Sequence, residues 1–392
     1  MLREAVIASA CRTPIGSFNG VLAPLRAPQL GSPVIKEAVK RAGIKPDNVD
    51  EVIMGCVLTA GIGQAPARQA AVGAGLPYSV QCLTVNKVCG SGLKSVMLGA
   101  QAIMCGDARV VVAGGMESMS NVPYLLERAR WGYRMGHGRL IDGMVQDGLW
   151  DVYNDFHMGN AAEICSKKYN ISREDQDKYA IKSYRKALDS IEKGRFRNET
   201  VQIEVMPSRG KPYRVQEDEE PGKVKFEKIQ RLKPAFDPDG TVTAANSSSL
   251  NDGAAALVIM SGETADEIEV KPIARIVGQA SWAMEPEWFT TAPAYVIQKL
   301  LKKTGYSLDE IDLFEVNEAF AVVAIAVRDI LGIPDEKYNV NGGAVALGHP
   351  IGASGARILT TLLHAMSRRN ARRGIAAVCI GGGEASAVLV ER

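Results

Sequence analysis

Histidine, paired cysteines and long uncharged apolar runs are scarce in this sequence. Only four histidines occur and none stands at metal-ligand spacing from another, so we expect no metal site. The seven cysteines are odd in number and widely spaced, which argues against a disulfide scaffold or zinc module and for a reducing compartment. Without a signal peptide, a peroxisomal address or an uninterrupted membrane-length run, we expect a cytoplasmic protein with no membrane partner.

A large excess of charge of one sign is also missing, because the formal net charge is only +2. This value gives no electrostatic reason to expect a nucleic-acid partner. The length of 392 residues predicts two or more domains, and the 39 glycines are typical of α/β enzymes with many tight turns. The apolar content is ordinary for a soluble globular protein.

Cys89 stands where the sequence changes from an apolar stretch to a helical pattern. Residues 83–88 run into it, and Gly90-Ser-Gly92 opens a predicted helix that ends near Met104. The free N–H groups of a helix N-terminus favour a thiolate, and glycines let a substrate approach the backbone. The segment alone leaves two interpretations open, an activated sulfur nucleophile or a buried core thiol.

Short segments of the first half recur in the same order in the second half. The pairs are Val85-Asn86 with Val340-Asn341, Ser91-Gly92 with Ser354-Gly355, and Arg109–Ser118 with Ala376–Ser386. Apolar runs at 109–113 and 376–380 predict buried strands, and helical patterns are predicted at 92–104, 292–303 and 355–367. The order indicates an α/β fold built from two copies of one unit.

A more polar segment, roughly 120–245, separates the two copies. Within it, Ser172-Arg-Glu-Asp175 resembles a capping box and predicts a helix to about Lys193, whereas 207–222 shows little periodicity. We interpret this segment as an inserted loop domain that binds substrate. The predicted domains are an N-terminal half of residues 1–119 with 246–269, the loop domain 120–245, and a C-terminal half 270–392.

Three further residues are expected to join Cys89 in one site. His349 precedes Pro350 in a glycine-rich loop, and an imidazole that is neutral near pH 7 suits proton transfer. Cys379 ends a predicted strand before three glycines, and Asn317 either orients a water or caps a helix. The set suggests acyl transfer through a thioester, with one thiol as nucleophile, the imidazole as its base and the other thiol moving a proton.

Four ordered motifs resemble those of the thiolases. They are Asn86-Lys-Val-Cys-Gly-Ser-Gly92, Asn317-Glu-Ala-Phe320, Gly348-His-Pro-Ile-Gly-Ala-Ser-Gly355 and Cys379-Ile-Gly-Gly-Gly383. The likeness runs from Arg12 to Glu391 and, within the family, is greatest to the short-chain acetoacetyl-CoA thiolases. It implies duplicated α/β halves in a helix-sheet-helix-sheet-helix arrangement with the inserted loop domain.

The resemblance also implies a role for each matching residue. Cys89 would carry the acetyl group as a thioester, His349 would deprotonate Cys89, and Cys379 would remove the α-proton of a second acetyl-CoA. Asn317 would hold a water that forms one oxyanion hole with His349, and the N–H groups of Cys89 and Gly381 would form the other. The implied reaction is the reversible Claisen condensation of two acetyl-CoA to acetoacetyl-CoA and CoA, with no separate cofactor.

Contacts to coenzyme A follow from the resemblance in the same way. The matching positions are His157, Met158, Ala244, Ser248 and Phe320, with Phe289 near the acyl tail and Lys223 as a phosphate contact. The bulk of Phe289 favours a short acyl group, and Lys223 has the alternative of a solvated charged face. Ser247, Ser249 and Glu384 depart from the residues many relatives carry, and Glu384 either raises the pKa of Cys379 or points to solvent.

Other functions stay open at this point. A chain-elongating ketoacyl synthase generally uses two histidines with its cysteine, so Asn317 and Cys379 argue against it. A broad-range degradative 3-ketoacyl-CoA thiolase and a non-catalytic protein that binds acyl-CoA or lipid are the remaining alternatives. The resemblance further implies a homotetramer, a dimer of dimers, with residues 121–143 as the tetramer-forming loop.

Overall fold

The computed structural model describes residues 3–392, which form sixteen strands and twelve helices. The strands are β1 Ala5–Arg12, β2 Gly16–Ser17, β3 Glu51–Gly55, β4 Gln81–Val85, β5 Val110–Ser118, β6 Tyr124–Leu125, β7 Ile141–Asp142, β8 Trp150–Asp151, β9 Phe156–His157, β10 Ile203–Val205, β11 Tyr213–Val215, β12 Asn251–Ser261, β13 Ala274–Ala283, β14 Leu313–Val316, β15 Arg373–Ile380 and β16 Glu384–Glu391. The helices are α1 Ala27–Arg41, α2 Pro66–Gly73, α3 Ser91–Cys105, α4 Gly143–Gly148, α5 Met158–Tyr169, α6 Arg173–Glu192, α7 Phe226–Ile229, α8 Gly262–Glu267, α9 Ala292–Thr304, α10 Ala321–Leu331, α11 Ala344–Leu347 and α12 Ile351–Arg369.

The main strands pair in the order β14-β15-β16-β13-β1-β12-β5-β3-β4, with β2 beside β12. Strands β3, β4 and β5 pair in parallel, as do β14 and β15, whereas the remaining pairs are antiparallel. The strands of the two halves meet where Val6 and Ile7 of β1 pair with Arg275 and Ala274 of β13. Each half therefore contributes its own mixed sheet, and the pairing of β1 with β13 joins the two into one continuous sheet.

Alternate residues along the central strands divide the core into layers. Val110 and Val112 of β5 belong to the apolar cluster that includes α1 and α2, whereas Val111 and Ala113 pack with α3 and α12. β15 divides in the same way between the α9–α10 cluster and the α3–α12 cluster. Because successive side chains of a strand face opposite sides, α3 and α12 form a middle layer between two sheet regions. The predicted α/β class with its helix-sheet-helix-sheet-helix layers is confirmed.

The segment between the halves packs on both of them, with Ile203, Val205 and Val215 of its β10–β11 pair in the core of the N-terminal half. Helices α5 and α6 contact α10, and β6–β11 form three separate two-stranded pairs. The predicted capping box is present at the start of α6, where Ser172 and Asp175 exchange side chain to backbone hydrogen bonds of 3.1 Å. This segment brings His157 and Met158 towards the end of β15.

Three element boundaries differ from the sequence prediction. β5 continues to Ser118 because Gly114 and Gly115 stay in the ladder opposite β12. A Cβ on either glycine would lie 2.1 Å from a carbonyl oxygen, that of Ala255 or that of Gly352. The glycines therefore mark a close approach rather than a strand end. α12 begins at Ile351, earlier than predicted, because buried packing outweighs the weak helix propensity of the glycines in 351–355. β15 begins at Arg373, also earlier than predicted, because Arg373 and Gly374 already pair with β16.

Residues 88–105 have a mean hydropathy of 1.3 over 18 residues, so by length and composition alone this stretch could span a membrane. One charged residue, Lys94, interrupts it. In the fold this stretch is the Cys89 turn followed by α3, and 56% of it is buried. A helix that is covered by sheet on two sides is apolar on most of its surface, which accounts for the composition.

Candidate active site

A cavity of about 380 Å³ lies where the two halves meet the inserted segment. Cys89, His349 and Gly381 all line it, together with residues of the loop 247–250. A larger surface cleft of about 540 Å³ near Arg392 has no cysteine in its lining. The chemistry therefore points to the smaller cavity as the site.

Two glycines explain how Cys89 and His349 come to share this cavity. A Cβ on Gly355 would lie 2.3 Å from the backbone N of Leu93, and one on Gly92 would lie 2.9 Å from that of Ala356. Without side chains at these positions, α3 and α12 cross at their first turns. Cys89 and His349 each stand two residues before the helix that follows them, so the crossing places both at one end of the middle layer.

The turn that carries Cys89 is strained and held by side chains. Val88 has φ of +45°, a left-handed conformation that a β-branched residue rarely adopts. Its N–H donates to Oδ1 of Asn86 at 3.0 Å, and its carbonyl accepts from Oγ of Ser91 at 2.6 Å. The same Ser91 oxygen accepts from the N–H of Lys87 at 2.8 Å. Strain that neighbours hold in place is a common feature of functional sites.

The Cys89 thiol sits in apolar surroundings but keeps partial access through the cavity. Burial raises its pKa to about 11, against the opposing effect of hydrogen bonds from the N–H groups of Gly381 and of Cys89 itself. The expectation that the helix N-terminus favours a resting thiolate is therefore wrong, because loss of hydration outweighs those N–H groups. Cys89 is a neutral thiol at rest that needs a base during attack.

His349 is held in a tautomer that suits such a base. Oγ of Ser354 donates its proton to the carbonyl of Pro350 at 2.9 Å, so it accepts from Nδ1 of His349 at 2.5 Å. The Nε2 atom is then unprotonated and carries a lone pair that can accept a proton. Burial, followed by the nearby charge of Arg357, lowers the pKa of His349 to about 3. The imidazole is consequently neutral at physiological pH.

Asn317 is fully buried beside this imidazole. Its Nδ2 atom lies 3.4 Å from Nε2 and 3.5 Å from Nδ1 of His349. Its Oδ1 atom accepts from Arg357 at 3.4 Å, and the guanidinium also donates to Glu315 at 3.3 Å. This contact orients the amide nitrogen towards the histidine. The alternative of a helix cap is excluded, because α10 begins only at Ala321.

Cys379 lies beneath the cavity wall at the end of β15 and is 1% exposed. Burial raises the pKa of its thiol well above the ordinary value, and the neighbouring Cys89 raises it further. The N–H of Ala319 hydrogen-bonds the sulfur and acts in the opposite direction. The two thiols are therefore electrostatically coupled. Glu384 follows the three glycines after this strand and forms an ion pair with Lys87.

The predicted coenzyme A contacts separate into two groups. Those that line the cavity are His157, Met158, Ala244, Ser248, Phe289 and Phe320. Lys223 does not line it, and its ammonium pairs with Glu219 at 2.7 Å and with Oγ of Ser17 at 2.7 Å. A phosphate contact for Lys223 stays a prediction, since the bound ligand would have to extend to that surface.

Aromatic packing shapes the wall opposite Cys89. His157 stacks on Phe236 with ring centroids 4.8 Å apart, and Phe236 meets Phe320 edge to face at 6.1 Å. Nδ1 of His157 accepts from the N–H of Gly159 at 3.1 Å, which leaves Nε2–H as a donor. Ser248 donates to the carbonyl of Ala319 at 2.8 Å and keeps its lone pairs free to accept. The wall thus offers apolar faces with a few polar atoms.

Several residues that the sequence prediction missed support the site. Met144, Leu149 and Phe236 line the cavity. Oδ1 of Asn251 accepts from the N–H of His349 at 2.9 Å and from Oγ of Ser249 at 2.9 Å. Ser249, which differs from the residue that many relatives carry, therefore has a hydrogen-bond partner within the site. Ser354 was visible as part of the recurring Ser-Gly pair, whereas the apolar lining had no sequence signal.

No cluster of three or more His, Cys, Asp or Glu side chains suitable for a metal ion occurs within residues 3–392. The site geometry on its own is that of an acyl-transfer enzyme. It combines a cysteine beside two N–H groups and a neutral histidine, both on the wall of an apolar cavity, with a second thiol buried behind that wall.

Comparisons with known proteins assign this site to a family. The model of the thiolase N-terminal domain matches residues 5–263, and that of the thiolase C-terminal domain matches residues 270–392. The chain belongs to the thiolase family. It is 51% identical over 392 residues to an acetyl-CoA acetyltransferase of Pseudomonas aeruginosa, with both chains covered in full.

Two further comparisons agree. The chain is 56% identical over 393 residues to the mitochondrial acetyl-CoA acetyltransferase B of Xenopus laevis, covering 100% of this chain and 92% of that protein. The crystal structure of the Bacillus anthracis acetyl-CoA acetyltransferase superposes with a TM-score of 0.97 at 43% identity, covering 100% of this chain and 99% of that one.

Proposed function

We propose that this thiolase is an acetyl-CoA C-acetyltransferase, which condenses two acetyl-CoA to acetoacetyl-CoA and CoA and also catalyses the reverse reaction. The observation that carries the proposal is the meeting of Cys89, His349 and Gly381 in one cavity with Cys379 directly behind it. The acetyl-CoA acetyltransferases that resemble the chain over its full length support this choice of reaction.

In the first half-reaction, Cys89 attacks the carbonyl carbon of acetyl-CoA. Its proton moves to Nε2 of His349 as the new S–C bond forms. The carbonyl oxygen becomes negative and is stabilised by backbone N–H donors, one of which is worth on the order of 10²–10³ in rate. When the bond to coenzyme A breaks, the departing thiolate takes the proton back from His349. The product is acetyl-Cys89 and free CoA.

In the second half-reaction, Cys379 reacts as its thiolate and takes an α-proton from another acetyl-CoA. The enolate carbon so formed attacks the carbonyl of acetyl-Cys89, so a C–C bond forms and the S–C bond breaks. The departing Cys89 thiolate then receives the proton that Cys379 had taken, which returns Cys379 to its starting form. Burial raises the pKa of Cys379 well above its ordinary value, which makes its thiolate scarce but a strong base once it forms.

A short acyl group fits the cavity best. Phe289 is 2% exposed and lines the same space as Cys89. A buried aromatic ring there leaves no room for a long tail without displacement. A broad-range degradative thiolase would accept longer 3-ketoacyl-CoA substrates at similar rates, so measuring kcat/KM against acyl length for wild type and Phe289→Ala separates the two functions.

Intact-mass measurement after incubation with acetyl-CoA tests the proposal directly. The wild-type chain is expected to gain one acetyl group, which is lost on addition of CoA. Cys89→Ser is expected to gain none and to show no turnover, because a hydroxyl is a far weaker nucleophile at neutral pH. A wild-type chain that binds acetyl-CoA without a mass increment would instead favour the binding-protein alternative.

Assembly and location are part of the same proposal. Trp131 and Met135 of the loop 121–143 are 85% and 98% exposed, which supports its role as the contact of a homotetramer. Sedimentation of a Trp131→Glu, Met135→Glu double variant is expected to show a smaller species than wild type.

We also propose a cytoplasmic location, which fractionation of cells with an antibody to the chain would test.

A further inference from the structure

The two turns that supply N–H groups to Cys89 lie in direct contact. A Cβ on Gly90 would lie 2.3 Å from Cδ1 of Ile380, so the turn after β4 rests on the end of β15. Gly381, the next residue, lines the same cavity as Cys89, and its backbone N–H acts to lower the pKa of the Cys89 thiol. The position of this donor therefore depends on how the two turns are held against each other.

One ion pair joins the same turns on their outer side. Nζ of Lys87 pairs with Oε2 of Glu384. Lys87 stands two residues before Cys89, and Glu384 stands three residues after Gly381. Both side chains are partly buried, 22% and 37% exposed, so the pair is less screened than a fully exposed one. The ion pair therefore links the Cys89 turn to the Gly381 turn on their outer side, whereas Gly381 and Cys89 face each other on the cavity side.

The turn on the lysine side is strained, because Val88 has φ of +45°, and its hydrogen bonds to Asn86 and Ser91 hold it locally. The facing turn has two consecutive glycines with positive φ, of which Gly383 lies against backbone carbonyl oxygens. These local contacts fix the shape of each turn, whereas the ion pair joins one turn to the other.

We propose that the Lys87–Glu384 ion pair is a positioning device that holds the Gly381 N–H on the reacting atoms at Cys89. The inference rests on the proposed acetyl transfer at Cys89. Glu384 acts through Lys87, with which its carboxylate forms the ion pair. Neither of the two residues is a catalytic residue.

The experiment compares Lys87→Met, Glu384→Gln, their double variant and the charge swap Lys87→Glu with Glu384→Lys. Lys182→Met and Glu267→Gln remove members of other partly exposed ion pairs and serve as matched controls. The single variants are expected to form acetyl-Cys89 about fivefold more slowly, with KM for acetyl-CoA unchanged. The double variant should be no slower than either single one, and the swap should restore the rate to near that of wild type.

A second measurement is independent of acetyl transfer. Alkylation of Cys89 by iodoacetamide passes through the thiolate that the Gly381 N–H stabilises, so the single variants should alkylate more slowly and the swap at the wild-type rate. Single variants that match the controls in both assays, or a swap as slow as the single variants, would overturn the positioning role. Failure of the proposed function looks different, because wild type itself would then gain no acetyl group.

Discussion

Nδ1 of His349 and Oγ of Ser354 lie 2.5 Å apart, and the serine proton is already used on the carbonyl of Pro350. The serine therefore decides which nitrogen of the imidazole carries the proton. His349 and Ser354 are separated by one helical turn at the start of α12, so the base and the group that orients it move together.

Replacing Ser354 by alanine should slow acetylation of Cys89 without unfolding the protein. The imidazole loses the acceptor that fixes its tautomer, and we expect a loss in kcat of about tenfold or more, corresponding to a buried hydrogen-bond partner. Stopped-flow measurement of CoA release gives the rate. Ser95→Ala, which removes a buried hydroxyl on α3 that bonds only backbone carbonyls, is the matched control and should leave the rate near wild type. Equal losses in both variants would contradict the role of Ser354.

The pH dependence of Cys89 alkylation follows from the two shifted pKa values. Burial favours the uncharged form of both groups, so it raises the pKa of the thiol to about 11 and lowers that of His349 to about 3. Thiolate should therefore increase about tenfold per pH unit between roughly pH 7 and pH 10, with no plateau near neutrality. The rate of alkylation by iodoacetamide, after subtraction of the rate measured for Cys89→Ser, reports the thiolate fraction of Cys89. A neutral plateau would indicate a resting thiolate–imidazolium pair instead.

Cys379→Ser should separate the two half-reactions. The variant keeps Cys89, His349 and the Gly381 N–H, so acetyl-Cys89 should form at a rate near that of wild type. Condensation should fall by at least about 10²-fold, the lower range for loss of a general base. Intact mass reports the first step, and acetoacetyl-CoA absorbance reports the second. Parallel loss of both steps would argue against proton transfer by Cys379.

Gly355→Ala tests the helix crossing. The new methyl group would lie 2.3 Å from the backbone N of Leu93, so α3 and α12 must separate. We expect a loss of about 1–3 kcal/mol in unfolding free energy from overpacking. A shift of about 1 Å between Cys89 and His349 should also lower kcat by up to about 10²-fold. Urea unfolding and steady-state kinetics measure the two effects.

Gly222→Ala is the control for that substitution, since no atom lies within 4 Å of the added methyl and its φ is not positive. It should change neither stability nor rate. A Gly355→Ala protein with wild-type stability and kcat would show that the crossing tolerates a wider separation.

Periodicity and local motifs predicted the capping box of α6 and the turn at Cys89, because each depends on a few neighbouring residues, whereas the layer order came from the resemblance to the thiolases. The raised pKa of Cys89 was not predictable in that way. It depends on how completely distant segments exclude water, which no local pattern records. The Lys87–Glu384 pair joins residues 297 apart in the chain, so only the folded molecule reveals it. Likewise, the extension of β5 through Gly114 and Gly115 depends on β12 and α12 as neighbours.

The crossing of α3 and α12 at Gly92 and Gly355 makes the reactive centre a shared property of both repeats. One repeat supplies the sulfur of Cys89, and the other supplies the imidazole nitrogen of His349 from the equivalent position before its helix. Neither repeat alone would contain a complete nucleophile and base, whatever its own stability. Separately expressed pieces, 1–269 and 270–392, are therefore expected to be inert apart and to regain activity only on reassociation.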